Sequence, residues 1–261
     1  MTEMFLIDRR PDGVTWLTLN RPEIHNAFDD RLIAALTDQL LLLGADESMR
    51  ALVLTGAGRS FSAGADLNWM RRSATYDEAE NLEDARALAR LTRVLNELPQ
   101  PTIARVNGAA LGGGVGLVVC SDIAIASEAA VFGLTEVRLG ITPSVIGPHV
   151  LSAIGQRWTR RLMLTGERIG AAKAQAIGLV HEVVPADGLD AAVDRVLADL
   201  VRGGPRAVAE AKRLVLDIAN RPVDAGVAEE TAARIARIRA SAEGREGVSA
   251  FLEKRKPAWI A

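Results

Sequence analysis

One cysteine, one tyrosine and four lysines are all that the 261 residues carry of those types, and the scarcities narrow the functions open to the chain. A single cysteine closes no internal disulfide, which fits a reducing cytoplasm. Cys120 lies in the apolar run Leu117-Val118-Val119-Cys120 with no histidine near it, so it reads as a small buried hydrophobe rather than a nucleophile. His25, His149 and His181 are far apart and lack partners at ligand spacing, so no metal is expected. There is no Gly-Lys pair for a phosphate loop, no Gly-x-Ser-x-Gly elbow, and no dinucleotide fingerprint after a strand. No apolar run approaches the ~18 residues a bilayer span requires, and Met1 to Arg10, with Glu3 and Asp8, is no secretory signal. A soluble, cytoplasmic chain without a membrane partner is expected. The net charge of −2 lacks the basic excess of a nucleic-acid binder. Arginine supplies nearly all of the 31 basic residues, which suits phosphate and carboxylate binding or reflects only coding bias. Chemistry is left to carboxylates and backbone groups.

What is present reads as strands alternating with helices. Gly13 to Leu19 is rich in β-formers and stops at the turn Asn20-Arg21-Pro22. Leu32, Ile33, Leu36, Leu40 and Leu43 share one helical face after an N-cap at Asp29 or Asp30. Strands are predicted at Ala51 to Thr55 and Thr102 to Val106, with a helix from about Tyr76 to Leu98 between them. An apolar helix follows Gly112-Gly113-Gly114 and ends near Asp122. Repeated strand-then-helix units imply a sheet covered by helices, an α/β fold. From Leu189 the pattern is almost wholly helical, broken at Pro205 and Pro222, as in helices that pack on neighbouring subunits. No sequence repeat or low-complexity tract is visible.

Two glycine-rich segments follow strands: Ser60-Phe61-Ser62-Ala63-Gly64-Ala65-Asp66-Leu67 and Asn107-Gly108-Ala109-Ala110-Leu111-Gly112-Gly113-Gly114. Small residues let a ligand approach the backbone, and free N–H groups at a helix start carry partial positive charge. Two such donors can hold a thioester oxygen as it becomes an enolate. The same residues also suit tight turns where helix packs on strand.

These two segments, together with Phe132-Gly133-Leu134-Thr135-Glu136-Val137-Arg138-Leu139-Gly140, resemble the three signature blocks of the crotonase (enoyl-CoA hydratase/isomerase) superfamily in order and spacing. The resemblance runs from Asn20-Arg21-Pro22 through Asn26-Ala27 to Phe251-Leu252-Glu253-Lys254-Arg255. It implies a ββα spiral core over residues 1–200 and an α-helical trimerisation region over 201–261, as a homotrimer or a hexamer of two trimers. It also implies an acyl-CoA thioester substrate, with coenzyme A part of that substrate and no separate cofactor. By motif position, Glu136 is the catalytic carboxylate, and the N–H groups of Ala65 and Gly113 form the oxyanion hole. Ala63 meets the adenine through its backbone. Arg21 and Ile24 or His25 line the CoA path with Asp66 and Leu67, and Phe251 and Lys254 reach a neighbouring subunit's CoA. Lys254 has the alternative of a solvated helix end, and Asp66 that of an N-cap for the helix after it. Trp69, Met70, Gly116, Leu134, Ile141 and His149 are the expected acyl-pocket residues. Arg71 and Arg72 either meet a substrate carboxylate or are merely solvated.

One departure bears on the reaction. Hydratases of the family carry a further glutamate in the helix after the glycine turn, and here that position is Gly116. Two carboxylates flanking one water suit hydration, whereas one carboxylate suffices to shift a double bond from the 3,4 to the 2,3 position. A second resemblance favours hydration. Leu117 to Ala126 and Leu134 to Pro148 are similar to bacterial hydratases of methylglutaconyl-CoA and isoprenoid glutaconyl-CoAs, which also have glycine there. In such a substrate the distal carboxylate could assist from the place left at Gly116. The expected activity is thus hydration of a 2-enoyl-CoA of branched or glutaconyl type. The alternatives are a Δ3-Δ2-enoyl-CoA isomerase using Glu136 alone and a non-catalytic CoA-binding homologue.

Overall fold

In the computed structural model, which describes residues 3–260, β1 (Phe5–Arg9) and β2 (Val14–Leu19) form an antiparallel hairpin. Helix α1 (Asp30–Gly44) crosses back to β3 (Ala51–Gly56), parallel to β2. The chain then runs three times through one unit: a strand of the main sheet, a short strand of a second sheet, and a helix. The first unit is β3, β4 (Ser60–Ser62), α2 (Leu67–Ser73) and α3 (Glu78–Asn96). The second is β5 (Thr102–Val106), β6 (Ala109–Leu111) and α4 (Gly113–Cys120). The third is β7 (Ile123–Ser127), β8 (Val131–Gly133) and α5 (Gly147–Thr165). Next come β9 (Arg168–Gly170), α6 (Ala171–Ala176), β10 (Glu182–Val184) and α7 (Leu189–Leu200). Helices α8 (Pro205–Ile218), α9 (Ala225–Ala240) and α10 (Ala242–Leu252) close the described chain.

The strand orders are β1-β2-β3-β5-β7-β10 and β4-β6-β8-β9. Each unit thus adds one parallel strand to both sheets, which is the ββα spiral. The units share architecture without sharing sequence, because a buried strand asks only for apolar residues on both faces. The two-residue period does the sorting. Leu52 and Leu54 of β3 point into the larger core with Leu32, Leu36 and Leu40 of α1, while Ala51 and Val53 face Val193 and Leu197 of α7. Each fully buried leucine contributes roughly 2 kcal/mol by leaving water.

Helix starts follow their caps. Asp29, not Asp30, caps α1 by accepting the Leu32 N–H. Asp77 forms a capping box with Glu80, so α3 begins two residues later than its apolar pattern predicts. Helix α4 stops at Cys120, where the backbone turns extended at Ser121, and the Asp122 carboxylate just beyond accepts the Thr102 N–H and hydroxyl. The same carboxylate pairs with Lys212 of α8 at 2.8 Å and ties the last helices to the core. Burial pushes the Lys212 ammonium below its usual range, and Asp122 partly offsets this.

Candidate active site

Three parallel strands of the second sheet end at one edge, and each leads into a segment of the cleft. After β4 come Ala63 to Ala65, after β6 come Gly112 and Gly113, and after β8 come Thr135 and Glu136. Leu111 pairs with Gly133 across the sheet, so the second and third segments leave it side by side.

Hydrogen bonding sets the first segment. Asn26, fully buried, donates to the Ala57 and Ser60 carbonyls and accepts the Arg21 N–H. Phe28 N–H donates to Gly64 O, and Asp66 N–H donates to Phe28 O. Between those two bonds, the Ala65 N–H has no acceptor among the described residues. Gly113 opens α4, where a first-turn N–H lacks an intrahelical partner, and its N–H likewise has no acceptor among the described residues. Two glycines bring these donors together. Gly64 has φ +86°, and a Cβ there would lie 2.7 Å from the Leu111 carbonyl oxygen. Gly112 has φ +51°, and its Cβ would lie 3.1 Å from Glu136 Oε1. Only glycine allows both the left-handed backbone and the close approach.

Glu136 is half-buried. Its Oε2 is buried with no hydrogen-bond partner among the described residues. Burial raises its pKa, and its own backbone N–H offsets this only in part. Arg138 is not paired with it. A desolvated, unpaired carboxylate beside two free N–H groups is poised to exchange protons with a ligand.

These groups open onto a cleft of about 550 Å³. Its walls are largely apolar, from α2 (Trp69, Met70), α3 (Ala85, Leu88) and the loop Leu139 to Ile146. Trp69 Nε1 donates to Asp84 at 2.9 Å and holds α2 against α3.

Of the expected residues, Glu136, Ala65, Gly113, Ala63, Leu67, Trp69, Met70 and Ile141 line the cleft. Several expectations need correction. Gly116 lies inside α4, and the place its side chain would take is filled: a Cβ there would sit 2.4 Å from Ile146 Cγ2. No space is left for a substrate carboxylate at that point. Leu134 is buried in the core behind Glu136. His149 lies outside the lining, near Glu97, and burial lowers its pKa. Asp66 takes its N-cap alternative rather than the CoA path: its carboxylate caps α2 by accepting the Asn68 and Trp69 N–H groups. Arg21 and Ile24 also lie outside the lining. The Arg21 guanidinium bonds the Ala27 carbonyl and pairs with Asp29 at 2.9 Å, bracing the start of α1. The neighbouring His25 carbonyl accepts the Ala63 N–H, leaving only the Ala63 carbonyl for a ligand. Arg71 and Arg72 turn away to Asn68 and Asp30. Phe251 and Lys254 stand at the end of α10, outside their own chain's cleft, where Phe251 is 81% exposed.

The residues that sequence reading missed reach the cleft through tertiary structure. Phe28 places its ring 2.8 Å from where a Gly113 Cβ would be. Ile146 closes the Gly116 position, and Arg168 enters through the pairing of β9 with β8. No local motif marks Phe28 or Arg168, and Ile146 falls inside the Leu134 to Pro148 block without a role assigned to it there.

A cleft built this way, with backbone donors and one carboxylate at strand ends of a ββα spiral, defines a class of acyl-transforming enzymes, and comparison with known proteins agrees. The enoyl-CoA hydratase/isomerase family model matches residues 9–261, and the chain is an enzyme of that family. It is 38% identical over 254 residues, 97% of each chain, to the 2,3-dehydroadipyl-CoA hydratase of Escherichia coli (strain K12). It is 34% identical, over 97% of each chain, to the 1,2-epoxyphenylacetyl-CoA isomerase of the same organism. A crystal structure of an enoyl-CoA hydratase from Shewanella pealeana superposes with a TM-score of 0.95 at 44% identity, covering 98% of this chain and 96% of that one.

Proposed function

We propose that the protein hydrates a 2-enoyl-CoA. The carrying observation is the unpaired, desolvated Glu136 carboxylate beside the free N–H groups of Ala65 and Gly113. The thioester oxygen accepts hydrogen bonds from both N–H groups. As the oxygen of a water bonds to Cβ, Glu136 takes the water's proton, and the π electrons move through Cα to the thioester oxygen as an enolate. Donors fixed in the fold stabilise that charge without reorganising. Glu136 then returns the proton to Cα, the enolate collapses, and the carboxylate is restored. One glutamate with two oxygens handles both proton steps, so water adds to one face. A branched or glutaconyl-type acyl group is the finer proposal, supported by the blocks Leu117 to Ala126 and Leu134 to Pro148. The 2,3-dehydroadipyl-CoA activity of one relative is of the same hydratase type.

A specific observation supports a second reading. The Gly116 position carries an Ile146 methyl where a second carboxylate would help to activate water. A dry wall favours isomerisation of a 3-enoyl-CoA, in which Glu136 moves one proton from Cα to Cγ. A product assay in D₂O on crotonyl-CoA, a 3-enoyl-CoA and methylglutaconyl-CoA separates the two readings. Hydration yields a 3-hydroxyacyl-CoA with one deuterium at Cα, whereas isomerisation yields a 2-enoyl-CoA from the 3-enoyl substrate alone. Binding of acyl-CoA with neither product would refute both and leave a binding protein.

A further inference from the structure

We propose that Arg168 forms a subsite for a terminal carboxylate on the acyl chain, making an ω-carboxyl enoyl-CoA the preferred substrate class. The inference rests on the enoyl-CoA reading above and extends it to the far end of the substrate. Among the described residues, Arg168 is the only basic side chain in the lining of the cleft. Its guanidinium has no hydrogen-bond or ion-pair partner among the described residues. Most other arginines near the cleft are engaged: Arg21 with Asp29, Arg72 with Asp30, Arg71 with Asn68. The acidic groups of the lining are Glu136 and Asp84, and Asp84 is held by Trp69.

Register fixes where the Arg168 backbone stands. Leu111, Gly133 and Arg168 form one row across β6, β8 and β9. The site segments therefore follow one another across the sheet, from Ala65 after β4 and Gly113 after β6 to Glu136 after β8 and Arg168 on β9. Two steps of ~4.8 Å between strands put Arg168 roughly 10 Å from the β6 end that carries the oxyanion donor. Built from C–C bonds of ~1.5 Å, a dicarboxylic chain of about six carbons bridges that gap once the ion-pair distance is added. Gly133 makes room for the arm: a Cβ there would lie 3.2 Å from Arg168 Cγ. A guanidinium offers the planar donor pair that matches a carboxylate, on walls otherwise mostly apolar.

The test compares trans-2-hexenoyl-CoA with trans-2-hexenedioyl-CoA, which differ only in the terminal group, on the wild type, Arg168→Met and Arg168→Lys. The wild type should favour the dicarboxylic substrate by kcat/KM, and Arg168→Met should lower that value about 10- to 100-fold, the span of a lost charge-assisted hydrogen bond. The ratio of kcat/KM for the dicarboxylic substrate over hexenoyl-CoA should fall in Arg168→Met, and Arg168→Lys should keep part of the preference. Calorimetric titration with the unreactive hexanoyl-CoA and adipyl-CoA reads the same difference without turnover. Equal affinities and equal losses on both substrates would overturn the subsite while leaving the enoyl-CoA reading intact. Failure of both thioesters to bind to folded protein would overturn the enoyl-CoA reading, and the subsite with it.

Discussion

Glu136 carries a cost to the fold that its chemistry explains. Its raised pKa means that the folded protein holds the proton more tightly than the unfolded chain, so ionising it opposes folding. Stability linked to this group is therefore fully present below the unfolded pKa and lost as pH rises through the higher folded value. Glu136→Gln removes the penalty. It should raise Tm at pH 8, and the gain should vanish as pH falls below the unfolded value, measured by thermal unfolding across that range. The same replacement should lower kcat by at least ~10², as for a lost general base. Near-normal turnover would assign the proton transfer to another group. Because the base must be ionised, the acid limb of kcat/KM should lie above the usual carboxylate range. Gly64 is the other sensitive residue. Gly64→Ala forces a side chain onto φ +86° and against the Leu111 carbonyl, which displaces the neighbouring Ala65 N–H. Loss of one oxyanion donor costs about 10²–10³ in kcat, and retained activity would show that Ala65 is not a donor.

Element packing explains why the glycine in α4 matters. Gly116 lets α4 approach the loop after Glu136, where Ile146 fills the gap. Gly116→Ala should destabilise the fold by about 1–3 kcal/mol through overpacking. Ile146→Ala should restore much of that loss, a coupling that chemical denaturation of the two single variants and the double variant measures. In the Ile146→Ala background, Gly116→Glu tests whether a second carboxylate increases hydration. Asp66 belongs to this scale as well: Asp66→Ala removes the α2 cap and should cost about 1 kcal/mol, with a raised KM as Trp69 and Met70 loosen. The sequence showed the Asp29 and Asp66 caps, since each acts within a few residues of itself, whereas the Asp77 capping box emerged only in the structure. Ile146 and Arg168 were not visible, because each meets the site only through packing or strand pairing far along the chain.

Over the whole molecule, the last three helices are held to the core by a few polar ties and leave apolar residues in solvent. Asp122→Ala would strand the Lys212 ammonium in its buried position, at about 3 kcal/mol. Urea denaturation should read this as a loss of stability, or as separate unfolding of α8 to α10. Val223, Phe251 and Leu252 are 94%, 81% and 73% exposed in the single chain, more than isolated helices need to show. On the proposal that residues 201–261 assemble subunits, light scattering should give a trimer or hexamer of the 27.8 kDa protomer, and Phe251→Asp should weaken it. By itself the sequence determined the alternation of strands and helices, the two glycine turns and the one carboxylate within the third block, since these rest on local backbone preference and on hydrophobic period. Only the tertiary structure decided that the Gly116 position is closed, that the Arg21 charge is spent on the scaffold, and that a free guanidinium shares the cleft. Those outcomes depend on which distant segments the spiral brings into contact, and no local spacing encodes that.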